Sequence, residues 1–151
     1  CIDFGCRQTY FLRCRRWNNN RVEVFRVAIH AEFQGALGVV LNKPTPNSLI
    51  SLLKEKIDIP VTITVVSEKD DIKGRLQAGV DIFNVSGAGK TSDIIKKIRD
   101  LNAGVAIIAT GGKPDETIMM AIEAGANAIS YRPPSTGELF KEIMDRYRLE
   151  E

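Results

Sequence analysis

The feature that most constrains this chain is a phrase that repeats along it: a short apolar run, a turn, a longer stretch of helical periodicity, then a glycine. The phrase returns every ~21–24 residues, the length of one strand-helix unit. The runs at 37–41, 61–66, 82–85, 106–110 and 128–131 are rich in Val, Ile and Ala. They read as free of alternation, as expected of parallel strands buried on both faces. Helices are predicted at 47–57, 69–78, 92–102, 115–124 and 136–147. An earlier helix is expected because Val22, Phe25, Val27, Ala28, Ala31 and Phe33 recur at helical spacing after Asn19 or Asn20, which can cap it.

Three helices end in similar words: Gln34-Gly35-Ala36, Ala78-Gly79-Val80 and Ala124-Gly125-Ala126. A glycine just past a helix accepts a left-handed backbone, and the small residue after it lets the chain turn back into the sheet. The fold class is therefore α/β, with repeated βα units and right-handed crossovers. Two architectures share the pattern, a (β/α)8 TIM barrel or a truncated part of one, and a flavodoxin-like doubly wound sheet. The extra leading helix favours the barrel. In either, working residues belong at the carboxyl ends of the strands.

Residues 1–20 stand apart as a connector rich in Arg and Cys, and 21–151 read as a single α/β domain. Arg7, Arg13, Arg15, Arg16, Arg21 and Arg26 fall before the first lysine, Lys43, with Tyr10 and Trp17 among them. Such a cluster can grip phosphates, but it also suits a solvated connector. The chain begins at Cys1, and upstream residues are expected to be missing. Cys1, Cys6 and Cys14 match neither a zinc nor a redox spacing and read as reduced thiols. A formal net charge of +2 gives no ground for a nucleic-acid partner, and no apolar run suggests a membrane span. A cytoplasmic protein follows, with self-association into a homo-oligomer left open.

The segment Ala106-Ile107-Ile108-Ala109-Thr110-Gly111-Gly112, with a helix ending Ile122-Glu123-Ala124-Gly125-Ala126-Asn127-Ala128-Ile129-Ser130, resembles the last two units of phosphate-binding (β/α)8 barrels. Indole-glycerol-phosphate synthases, keto-deoxy-phosphogluconate aldolases and inosine monophosphate dehydrogenases are of this kind. The resemblance implies the carboxyl-terminal part of a barrel and a small phosphorylated metabolite held by backbone N–H groups at Gly111 and Gly112. Lys113 and Arg132 would add charge. Where those barrels often carry another glycine after the last strand, this chain has Tyr131-Arg132-Pro133-Pro134. The implied chemistry is that of a lyase, aldolase or isomerase.

A competing resemblance is to response-regulator receiver domains, carried by Thr110, Arg132-Pro133 and Gly137-Glu138-Leu139-Phe140. It implies a non-catalytic signalling or ligand-sensing module. Asn42, Lys43 and Asn84 stand where that family needs carboxylates, so neither Mg²⁺ binding nor phosphoryl acceptance is expected.

Among single residues, Lys43 follows the first strand of the regular region, where a desolvated lysine can form a Schiff base. Glu68 is a candidate general base, and Asn84 a third catalytic candidate. Ser86, Gly87, Thr110 and Tyr131 fall at strand ends and should line the pocket. Asn84-Val85-Ser86-Gly87-Ala88-Gly89-Lys90-Thr91 is like a Walker A loop but lacks its first glycine, and it reads as a glycine-rich turn capped by Thr91 or Ser92. Asp70 and Asp71 should complement a helix dipole, and His30 should be structural. No cofactor and no metal site are expected.

Overall fold

A computed structural model describes residues 2–3, 11–13, 21–111, 115–131 and 135–149. Gly112, Lys113 and Arg132, three of the four phosphate-binding candidates, lie outside the described residues. Five strands match the expected ones: β3 (Gly38–Leu41), β4 (Val61–Val65), β5 (Ile82–Val85), β6 (Ala106–Gly111) and β7 (Ala128–Tyr131). The helices are α1 (Arg21–Phe33), α2 (Asn47–Lys54), α3 (Ile72–Gln77), α4 (Thr91–Leu101), α5 (Asp115–Glu123) and α6 (Thr136–Leu149). Two short strands, β1 (Ile2–Asp3) and β2 (Phe11–Arg13), lie in a stretch where no strand was expected.

The sheet order is β1-β2-β3-β4-β5-β6-β7, antiparallel only between β1 and β2. This order decides between the two architectures. A doubly wound sheet reverses direction at a switch point, and here every strand after β2 adds on the same side of its predecessor. The flavodoxin-like alternative, and with it the receiver topology, is therefore excluded. Right-handed crossovers that always advance one way put all the helices on one face, so the sheet curls as part of a (β/α)8 barrel.

All three glycine words form the same helix stop. Gly35, Gly79 and Gly125 have φ of +82, +89 and +102. In each, the glycine N–H bonds three residues back and the next residue bonds five back, as in Ala36 to Ala31 at 2.9 Å and Ala126 to Ala121 at 3.0 Å. These bonds satisfy the last carbonyls of each helix. α6 starts differently, with Ser135 and Glu138 exchanging side-chain and backbone bonds in a capping box.

Side chains on the two sheet faces differ sharply. Val39, Leu41, Val61, Ile63, Val65, Phe83, Val85, Ile107 and Ala109 are buried under the helices and form the core with Ile50, Leu53, Ile94, Ile95 and Ile98. The opposite face, the inner wall of the barrel, carries Val40, Thr62, Ile82 and Ala106 in one register row and Thr64, Asn84, Ile108 and Ala128 in the next. The expectation of strands without alternation is thus corrected at β4. Its threonines recur at every second position because they face the wall, whereas its valines and isoleucine face the helices.

The amino-terminal end of the sheet is tied by a device that occurs twice, two βα units apart. Lys54, in the last turn of α2, meets Asp81 at 2.9 Å, and the same carboxylate accepts from Val61 N at 2.7 Å. Two units on, Arg99 in α4 meets Asn127, whose side-chain oxygen accepts from Ile107 N at 2.9 Å. In each case the residue before one strand receives an N–H from the start of the preceding strand, the first residue of β4 or the second of β6, and a cation from the helix holds it there.

Candidate functional site

At the carboxyl ends of the strands the candidate residues fall into three groups. In the first, Lys43 Nζ lies 2.8 Å from Asp70 Oδ1, with the lysine side chain 47% exposed and the aspartate 12%. Asp70 also accepts from Val66 N at 3.0 Å and Ser67 N at 3.2 Å. Arg75 completes the cluster by donating to the carbonyls of Lys43 and Thr45. The β3–α2 and β4–α3 loops are therefore stitched together by charge. Asp70 does this rather than join a helix, so α3 begins at Ile72 instead of 69, and Asp71 caps it by accepting from Gly74 N at 2.9 Å.

Burial works to raise the Asp70 pKa, but the bonds from Lys43, Val66 and Ser67 outweigh it and hold the carboxyl below its ordinary 3.8. A depressed carboxylate contributes stability that is full above its ordinary value and is lost as pH falls through the lowered folded value. Acid unfolding should therefore show a contribution from Asp70 below pH 3.8 that Asp70→Asn removes. At neutral pH the same substitution should cost about 1–3 kcal/mol, read from urea melts at both pH values.

The second group is Glu68, whose Oε1 lies 3.8 Å from Lys90 Nζ while its carbonyl accepts from Lys97 Nζ. It ties the β4–α3 loop to the unit that follows. In that unit Thr91 is the first residue of α4, and its hydroxyl accepts from Gly87 N at 3.1 Å and donates to Ala88 O at 2.8 Å. The Walker-like loop is thus a closed glycine turn, held by Thr91 from within.

The third group lies on the inner wall. Thr64, Asn84 and Thr110 are each the penultimate residue of their strands, on β4, β5 and β6. Asn84 Nδ2 donates to Thr64 Oγ1 at 3.3 Å, and Thr110 Oγ1 donates to Asn84 Oδ1 at 3.2 Å. One amide thus bridges two neighbouring strands near the rim. Beneath Thr64, Thr62 is fully buried, and its hydroxyl has no hydrogen-bond partner. Leaving a buried hydroxyl unpaired costs about 1–3 kcal/mol.

The structure brings Asn84 and Thr110 together and places Lys43 and Glu68 in separate ion pairs. Ser86 follows β5 and donates its N–H to Val65 O at 2.9 Å. Gly111 and Tyr131 end adjacent strands in register, with Tyr131 exposed. His30 is exposed on α1. Thr64 and Arg75 were missed from sequence. The signal for Thr64 was the Val-Thr-Ile-Thr-Val alternation of β4; Arg75 carries none, because its partners are main-chain carbonyls about 30 residues away.

Among the described residues there is no group of three or more His, Cys, Asp or Glu that could hold a metal ion, and no helix long and apolar enough to cross a membrane. No family model and no curated protein matches the sequence. Similar solved structures exist. A mandelate oxidase variant with the monooxide FMN adduct is 16% identical at a TM-score of 0.69, covering 83% of this chain and 49% of that one. Mandelate oxidase with 3,3-difluoro-2-hydroxy-3-phenylpropionic acid is 16% identical at a TM-score of 0.66, with the same coverage of 83% and 49%. A mandelate oxidase variant with benzaldehyde is 15% identical, also at 0.66, over 83% and 49% of the two chains. The likeness establishes the barrel fold, and this chain spans about half the length of the proteins it matches.

Proposed function

We propose that this chain supplies the ligand-binding, carboxyl-terminal part of a (β/α)8 barrel that takes a small phosphorylated metabolite at the rim of its strands. The observation that carries the proposal is the gathering of Thr64, Asn84 and Thr110 at three successive strand ends on the inner wall, with Gly111 following Thr110 at the end of β6. Barrels work at this end, and their opposite end serves stability. The Gly111-Gly112 sequence supports a phosphate-binding role through backbone N–H groups, with Lys113 and Arg132 contributing charge. FMN, which the similar mandelate oxidase structure carries as an adduct, is itself a phosphate monoester.

Within this reading Lys43 acts electrostatically, since a Schiff base on it would first have to break the ion pair with Asp70. Borohydride trapping with keto acids tests the lyase version, and an adduct on Lys43 would restore it. For the binding itself, the chain is titrated calorimetrically with inorganic phosphate and with a panel of phosphorylated metabolites that includes FMN. Gly112→Trp is expected to weaken phosphate binding by about tenfold or more, as loss of even one charged hydrogen bond would. Unchanged binding in that variant, together with loss on replacing Arg15 and Arg16, would move the site to the amino-terminal arginines.

A further inference from the structure

We infer that Asn84 reads an uncharged amide or lactam edge on the ligand, so that the metabolite is a phosphorylated compound bearing such a group rather than a plain sugar phosphate. The inference rests on the phosphate reading above and adds the identity of the ligand's other end.

Asn84 sits on β5 between β4 and β6, and Thr64 and Thr110, its partners, come from these flanking strands. Thr64 and Thr110 are short, branched at Cβ and lie to either side, so they engage the lateral N–H and the lateral lone pair of the amide. A primary amide has two N–H donors and an oxygen with two lone pairs. One donor and one acceptor therefore remain side by side on the edge that faces the barrel axis. Because both flanking groups are hydroxyls, which donate or accept as needed, they hold the amide plane fixed on rigid strands. A fixed, coplanar donor-acceptor edge complements another amide or lactam through two parallel hydrogen bonds. A carboxylate could use only its donor.

Two further observations point the same way. The wall residues in register with Asn84, namely Thr64, Ile108 and Ala128, carry no charge, and the ion pairs Lys43–Asp70 and Lys90–Glu68 lie on the loops beyond them. Directly below, the buried Thr62 hydroxyl lacks a partner, so the wall carries more hydrogen-bonding capacity than it uses internally. A wall built only for packing would place apolar side chains there, as it does at Ile82 and Ile108.

The test compares uridine 5′-monophosphate with ribose 5-phosphate, which share a phosphorylated ribose and differ in the lactam-bearing base. The chain is expected to bind the nucleotide about tenfold or more tightly, because a site built to hydrogen-bond a group rejects analogues lacking it. Asn84→Asp removes the donor while Thr64 and Thr110 can still bond the carboxylate, and it should bring the nucleotide down to the level of the sugar phosphate. Asn84→Ser, folded by circular dichroism, should do the same. Independently of any variant, the Asn84 side-chain amide resonances should shift with the nucleotide and not with ribose 5-phosphate. Equal affinities with no amide shift would overturn the inference and leave the phosphate reading standing. Failure of both compounds and of inorganic phosphate to bind would overturn both.

Discussion

Arg99→Ala is expected to destabilise the chain by about 3 kcal/mol or more, a large share of the ~5–15 kcal/mol that holds a domain of this size together. The guanidinium bonds Gly125 O through Nε at 3.0 Å and through Nη2 at 2.7 Å, Ala103 O at 2.9 Å, Val105 O at 2.6 Å and the Asn127 side chain at 2.6 Å. Its removal leaves several carbonyls at the amino-terminal face short of a partner. It also frees the Asn127 side chain, which accepts the Ile107 N–H near the start of β6. Lysine cannot replace it, because a single ammonium cannot span carbonyls from two separate turns. Urea denaturation followed by circular dichroism should show the midpoint fall. Ligand affinity measured below the transition should hold, since Arg99 sits at the opposite end of the strands from the proposed site. A variant that keeps its stability would show these bonds to be replaceable by water.

Phe83→Ala is expected to cost about 3–5 kcal/mol, the range for emptying a fully buried aromatic site. Phe83 is 0% exposed, on the helix-facing side of β5, with Ile63 and Ile107 beside it in register. Asn84, its neighbour in sequence, points to the other face, so the two residues separate the core from the proposed site on one strand. Phe83→Leu, which refills most of the volume, should recover more than half of the loss in the same melts. If Phe83→Ala cost less than about 1 kcal/mol, the helices would not be packed on the sheet as described.

Much of this was legible in the chain itself. Five strands, six helices and the three glycine stops follow from periodicity and from one residue whose backbone must turn left-handed, and both are local properties. The helix start that moved most did so where a tertiary bond competed. α3 starts later than its pattern because Asp70 is drawn to Lys43 and to the backbone of Val66 and Ser67. The candidate site was partly legible as well, since position at a strand end selects Asn84 and Thr110 without any knowledge of partners. Thr64 was hidden because a Val-Thr alternation inside an apolar run looks like β-branched filler, and threonine fits a strand as well as valine does.

Only the tertiary structure decided between barrel and doubly wound sheet, because both are written with the same βα phrase and differ solely in which strand lies beside which. Hydrogen bonds between neighbouring strands carry that choice, and no residue type announces them. The same holds for Lys43. Its sequence neighbours Asn42 and Pro44 say nothing of Asp70, which arrives from the next unit and turns a candidate nucleophile into half of an ion pair. Local conformation is set by each residue and its neighbours on the chain, whereas charge pairing and strand order are set by which units the sheet brings side by side.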